Sequence, residues 1–194
     1  MQQFMNKLAR FMAILGGVIL TLLVLLTCVS VLGRSLNTLF HFLQSHGVME
    51  GFMQTLLDAG VGPVLGDFEL VEAGIAFAIF AFIPLCQVTG GHASVDIFTN
   101  GFPVRVNRFI QMIVEILFAI ALILIAWRLY EGMVSKMRYN ETTFLLQFPI
   151  WWAYAASLGA SCVSGLVAVY MAVVRTAEFF SGRTIIHVGG GAEH

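Results

Sequence analysis

From Phe11 to Gly33 the chain runs for 23 residues without one Asp, Glu, Lys or Arg. At about 1.5 Å per residue, a helix of that length crosses the ~30 Å hydrocarbon layer of a bilayer. Its apolar region is too long for a cleavable signal peptide, and no Ala-x-Ala site follows before Arg34, so it reads as a retained helix. Three further apolar segments follow. The predicted spans cover residues 11–33, 68–88, 108–129 and 149–174. Composition agrees: 59% of the 194 residues are hydrophobic and 11% charged, against about 25% charged in ordinary soluble domains, and mean hydropathy is +0.89. A water-soluble fold of this size would lack the charges to cover its surface. The expected class is therefore an all-α integral membrane protein, one domain with four transmembrane helices. The net charge of −1 and the lack of a basic block argue against a nucleic-acid partner; phospholipid is the expected surrounding.

Local signals refine the spans. The second has an acidic entry, Asp67, Glu69 and Glu72; Glu69 and Glu72 sit one turn apart where a helix N-terminus favours negative charge, and a bond from them to Arg34 or Arg128 is the alternative. Pro84 near its end frees the carbonyl of Phe80, four residues back, and predicts a local bend. Pro149 suits the first position of the fourth helix. Short-segment Lys and Arg number six on one side (Lys7, Arg10, Arg105, Arg108, Arg175, Arg183) and four on the other (Arg34, Arg128, Lys136, Arg138). That bias puts both termini in the cytoplasm. All three tryptophans, Trp127, Trp151 and Trp152, then lie at the outer interface.

The first loop carries its own pattern. Leu36, Leu39, Phe40 and Leu43 form one helical stripe, and Met49, Phe52, Met53, Leu56 and Leu57 another. They predict one or two amphipathic interfacial helices within 35–60, ended by Gly60, Gly62 and Pro63; docking onto another membrane helix or a periplasmic partner is the other reading.

Chemistry is hard to find. Cys28, Cys86 and Cys162 are odd in number, lie inside apolar runs and form no Cys-x-x-Cys pair, so they read as small core residues. The histidines (His41, His46, His92, His187, His194) fall in loops or the tail, which disfavours a haem anchor. Hydrolase, metalloprotease and nucleotide-binding signatures are missing. We therefore expect no catalytic residue, cofactor or metal, and no enzyme. Glu115 lies seven residues past Arg108, roughly 10 Å into the third helix, where an unpaired carboxylate costs about 2.5–3.5 kcal/mol. It should bond Gln111 or Gln87 rather than line an ion path. The fourth helix carries two stripes of small residues, Ala153, Ser157, Ser161, Gly165 and Ala156, Ala160, Ser164, Ala168, more than one close neighbour needs.

Several motifs follow the order of a known family. The acidic Glu69-Leu70-Val71-Glu72 opens the second helix; Gly90-Gly91-His92-Ala93-Ser94-Val95-Asp96, followed by Phe102-Pro103, forms the turn after it; Thr142-Thr143 through Phe148-Pro149-Ile150-Trp151 leads into the last helix. With the size and four-span layout, the chain over residues 7–178 resembles the small (Q-type) membrane subunit of tripartite ATP-independent periplasmic (TRAP) transporters. The resemblance implies a bacterial inner-membrane subunit that scaffolds a large multi-helix subunit and helps dock a periplasmic binding protein, for cation-coupled uptake of an organic acid, with sodium the expected ion. It places His92 and Asp96 in the cytoplasmic turn, where Asp96 either braces the turn through Arg105 or Arg108 or simply caps it beside a solvated His92. Glu69, Glu72, Glu115, Pro149, Trp151, Ser157, Ser161 and Gly165 are the other structural or partner-contact candidates. The competing readings are a membrane anchor of a redox complex and a free-standing four-helix exporter.

Overall fold

A computed structural model describes residues 2–45, 64–89 and 104–181. Four helices account for nearly all of them: α1 (Gln2–Ser45), α2 (Asp67–Thr89), α3 (Val104–Tyr139) and α4 (Trp151–Ser181). Each is long and apolar enough to cross a membrane, and no strand occurs among the described residues. The fold is an all-α membrane fold. Two of the helices far exceed the predicted spans. The 44 residues of α1 reach about 66 Å and the 36 of α3 about 54 Å, against ~30 Å of hydrocarbon. Apolar runs mark where a helix meets lipid, whereas a helix ends where backbone chemistry ends it. Lys7, Arg10 and Arg34 all sit on continuous helix because long basic side chains leave the backbone unaffected. The stripe Leu36 to Leu43 therefore continues α1 instead of starting a separate helix. The stripe from Met49 to Leu57 lies outside the described residues.

The helices form a row in the order α1, α2, α4, α3, with α1 on α2, α2 on α4 and α4 on α3. The reason is steric. Half of the most apolar window of α4 is buried, against 11% for α1 and for α3. The buried face of α4 is made of Ser157, Ala160, Ser161, Ser164, Gly165 and Ala168, drawn from both small-residue stripes. Both stripes are largely consumed inside this chain, one neighbour on each side. Small residues let helix backbones approach where lipid supplies no hydrophobic drive. The same logic holds between α1 and α2: a Cβ on Gly16 would stand 2.9 Å from the Cβ of Ala81. Around these contacts pack three small clusters, Met12–Ala81–Ala160, Ala119–Leu122–Ala168–Ala172 and Met5–Val167–Met171.

The outward faces are greasy. Phe11, Leu22, Leu32, Leu117, Leu124 and Leu166 are all more than half exposed. The cysteines share this surface: Cys28, Cys86 and Cys162 are free and exposed. Their expected place in the core is thus corrected. An apolar neighbourhood in the sequence does not distinguish the lipid face from the protein face, since both are apolar.

The chain turns between α3 and α4 through an ordered loop, 140–150. Asn140 is left-handed (φ 49°), the Glu141 amide donates to the Lys136 carbonyl at 3.3 Å, and the helix closes in a Schellman-type cap. Thr142 and Pro149 then form an isolated antiparallel bridge. The Ile150 amide donates to the Glu141 carbonyl at 3.0 Å, so Ile150 is still tied to the loop and α4 begins at Trp151. Pro149 is not the first helical residue; it lies two positions earlier, its carbonyl accepting the Trp152 amide at 3.1 Å.

Candidate functional site

The richest concentration of polar groups lies where the 140–150 loop meets the start of α2. The loop's backbone needs acceptors, because its tip donates amides that no strand partner takes. Glu69 supplies them: its two carboxylate oxygens accept the Leu145 amide at 2.6 Å and the Leu146 amide at 2.9 Å. One side chain thus anchors a loop 76 residues away. Close by, Gly66 adopts φ +76° beneath the Leu146 side chain, a position where a Cβ would be strained and would clash. Asp67 ties the same end of α2 to α1. It accepts the Ser30 hydroxyl and, at 3.5 Å, the Arg34 guanidinium, and takes the Phe68 amide at 2.8 Å. Arg128 pairs with Glu131 at 2.8 Å, which also receives the Trp127 indole N–H at 2.9 Å, and Lys136 pairs with Glu141. The sequence alternative, Glu69 or Glu72 paired with Arg34 or Arg128, is therefore not what forms: those arginines meet Asp67 and Glu131.

Beside the loop lies a cavity of about 460 Å³ between α2, α3, α4 and the loop. Glu69 and Glu72 line it, with Tyr154 and Ser157 on the α4 side. Ser157 is 2% exposed and its hydroxyl has no hydrogen-bond partner. Glu69 and Glu72, singled out from the sequence as an acidic pair, and Ser157, singled out as part of a small-residue stripe, are thus brought together. Pro149 and Trp151 flank the loop's exit; Trp151 packs edge-on against Trp152 at 6.0 Å between ring centroids. Ser161 and Gly165 line a different groove, about 380 Å³, between α3 and α4; no atom would meet a Cβ on Gly165 within 4 Å.

The opposite half of the bundle holds two further polar pairs. Gln87 donates to Glu115 at 3.4 Å across α2 and α3, one of the two partners expected for that carboxylate. Arg175 and Glu178, one turn apart on α4, form a 2.8 Å ion pair with side chains 13% and 3% exposed. His92 and Asp96 lie outside the described residues. Among the described residues no group of three or more His, Cys, Asp or Glu could hold a metal.

Two features escaped sequence reasoning. Pro84 does leave the Phe80 carbonyl without its helical donor; α2 runs on to Thr89, and Ser164 of α4 donates to that carbonyl at 2.6 Å. The i, i+3 spacing of Arg175 and Glu178 was readable, but their burial was not. The Glu69 clamp yields a direct test. Glu69→Ala strips the acceptors from two amides, so hydrogen–deuterium exchange over residues 143–148 is expected to speed up while residues 157–172 keep their protection. Unchanged exchange in the loop would show that the clamp does not hold it.

A family model described as "Tripartite ATP-independent periplasmic transporters, DctQ component" matches residues 23–179 of this chain. Comparison with curated proteins and with solved structures gave no match.

Proposed function

Because the chain belongs to the DctQ component family of tripartite ATP-independent periplasmic transporters, and so is a small permease subunit of such a transporter, we propose that it is a fixed helical frame for the large membrane subunit. In this reading it also helps the periplasmic binding protein dock, during cation-coupled uptake of an organic acid. The membership carries with it a multi-pass place in the inner membrane and, as partners, the large subunit and the binding protein. The observation that carries the frame reading is how the polar groups are spent. Glu69 and Asp67 hold loop and helix ends, Ser164 closes a proline gap, and Gln87 meets Glu115. Each of these contacts fastens one segment of the chain to another. Meanwhile α1 and α3 leave most of their apolar surface uncovered, available to lipid and to a larger neighbour.

The Lys and Arg bias supports both termini in the cytoplasm, with the 140–150 loop and its cavity on the periplasmic side. The loop then stands where a periplasmic partner arrives, and a loop clamped by Glu69 offers that partner a pre-organised surface. The test is reconstitution in liposomes with a cation gradient. Uptake is expected with the large subunit, this chain and the binding protein together, and a fall to background is expected when this chain is left out. Uptake by this chain alone, or undiminished uptake without it, would refute the reading.

A further inference from the structure

We propose that the cavity beside the 140–150 loop receives a lysine or arginine side chain of the large membrane subunit, its cation held by Glu72 and its hydrogen bonds shared with the Ser157 hydroxyl; this deepens, and rests on, the frame reading above. Glu72 makes no hydrogen bond or ion pair among the described residues. Of the four basic residues at its end of the bundle three are engaged elsewhere, Arg34 with Asp67, Arg128 with Glu131 and Lys136 with Glu141, and the fourth, Arg138, does not line the cavity. The second observation is independent. Ser157 sits on another helix, is 2% exposed, lines the same cavity and has no partner for its hydroxyl. A buried hydroxyl without a partner marks a site awaiting one. At about 460 Å³ the cavity falls in the size range of real ligand sites and admits a long side chain with a flanking residue.

Charge selects the occupant. Glu69 and Glu72 are the two charged residues in the lining, and no cation accompanies them. An ethanolamine lipid would satisfy Glu72 with its ammonium but carry its phosphate into a negative wall. An acyl chain would leave both Glu72 and Ser157 unmet. A basic side chain brings a cation without an anion, and its aliphatic stem matches Ala73, Ala76 and Leu129. Eight of the thirteen lining residues lie on the membrane helices and five on the 140–150 loop, so an occupant that fills the cavity lies along the helices as well as under the loop. A membrane-embedded partner can lie against that helical part of the lining, whereas a soluble protein arriving from the periplasm meets the loop.

The experiment uses the chain co-expressed with its large subunit and binding protein and purified into lipid nanodiscs. A benzoylphenylalanine photocrosslinker replaces Phe148, which also lines the cavity. The expected adduct is a large-subunit peptide containing Lys or Arg. Glu72→Gln is expected to weaken retention of the large subunit by about tenfold or more, as loss of one member of a close interfacial charge pair does, with the thermal stability of the isolated chain unchanged. An adduct with a phospholipid, with the binding protein or with this chain alone would overturn the proposal, as would full retention by Glu72→Gln. Loss of the large subunit from the unaltered chain would instead overturn the frame reading itself, so the two failures are distinguishable.

Discussion

Glu178→Ala is expected to cost the bundle about 3–5 kcal/mol, the usual penalty for stranding one member of a buried ion pair. Arg175 and Glu178 meet at 2.8 Å with side chains 13% and 3% exposed, and the Arg175 Nε is already buried without a partner. Removing the carboxylate leaves a largely buried guanidinium that has lost its ion-pair partner and cannot lose its proton. Arg175→Ala removes one counter-charge of the buried carboxylate and is expected to destabilise in the same direction. The double variant Arg175→Leu/Glu178→Leu is the informative control. It removes both charges and is expected to be close to neutral, since a buried pair gains little over well-packed apolar side chains. Thermal unfolding in detergent, followed by helical circular dichroism, measures all four species. If the single variants unfold like the unaltered chain, the pair is hydrated and the buried geometry is wrong. If the double variant is as damaged as the singles, the pair does more than neutralise itself.

The second large effect is expected at the proline in α2. Ser164→Ala leaves the part-buried Phe80 carbonyl with no donor, at a cost of about 1–2 kcal/mol, the upper part of the range for interhelical hydrogen bonds in membranes. In a Pro84→Ala background the new amide takes that carbonyl within the helix, and the same serine substitution should then cost less than about 0.5 kcal/mol. The cycle isolates the coupling. Equal costs in both backgrounds would mean that Ser164 does not act on the gap left by Pro84. The Ala160 carbonyl, 2.9 Å from the Ser164 hydroxyl, competes for its single proton as a back-bond one turn earlier, and so sets a ceiling on the coupling.

What was legible in advance divides along one physical line. Local one-dimensional signals held. The apolar runs located four helices, and the Pro84 rule identified the carbonyl that loses its donor. Glu115 was expected to need Gln111 or Gln87, and Gln87 is what it meets. Signals that depend on which side of a helix faces what did not hold. The cysteines were read as core and stand on the outer surface. Hydropathy cannot separate a lipid face from a packed face, because in a bilayer both are apolar. Pro149 was placed on the helix, yet the cross-loop bond from Ile150 to Glu141 keeps it two residues outside. Glu69 was read as a charge on a helix dipole, yet its partners are amides 76 and 77 residues away.

Sequence alone determined the solvent, the number of crossings and the preference of α4 for close neighbours, because chain length, charge content and residue size act locally. Tertiary structure alone decided the order of the helices, the burial of Arg175 with Glu178 and the gathering of Glu69, Glu72 and Ser157 around one cavity. Those depend on distances between segments far apart in the chain, which no periodicity within a single helix encodes.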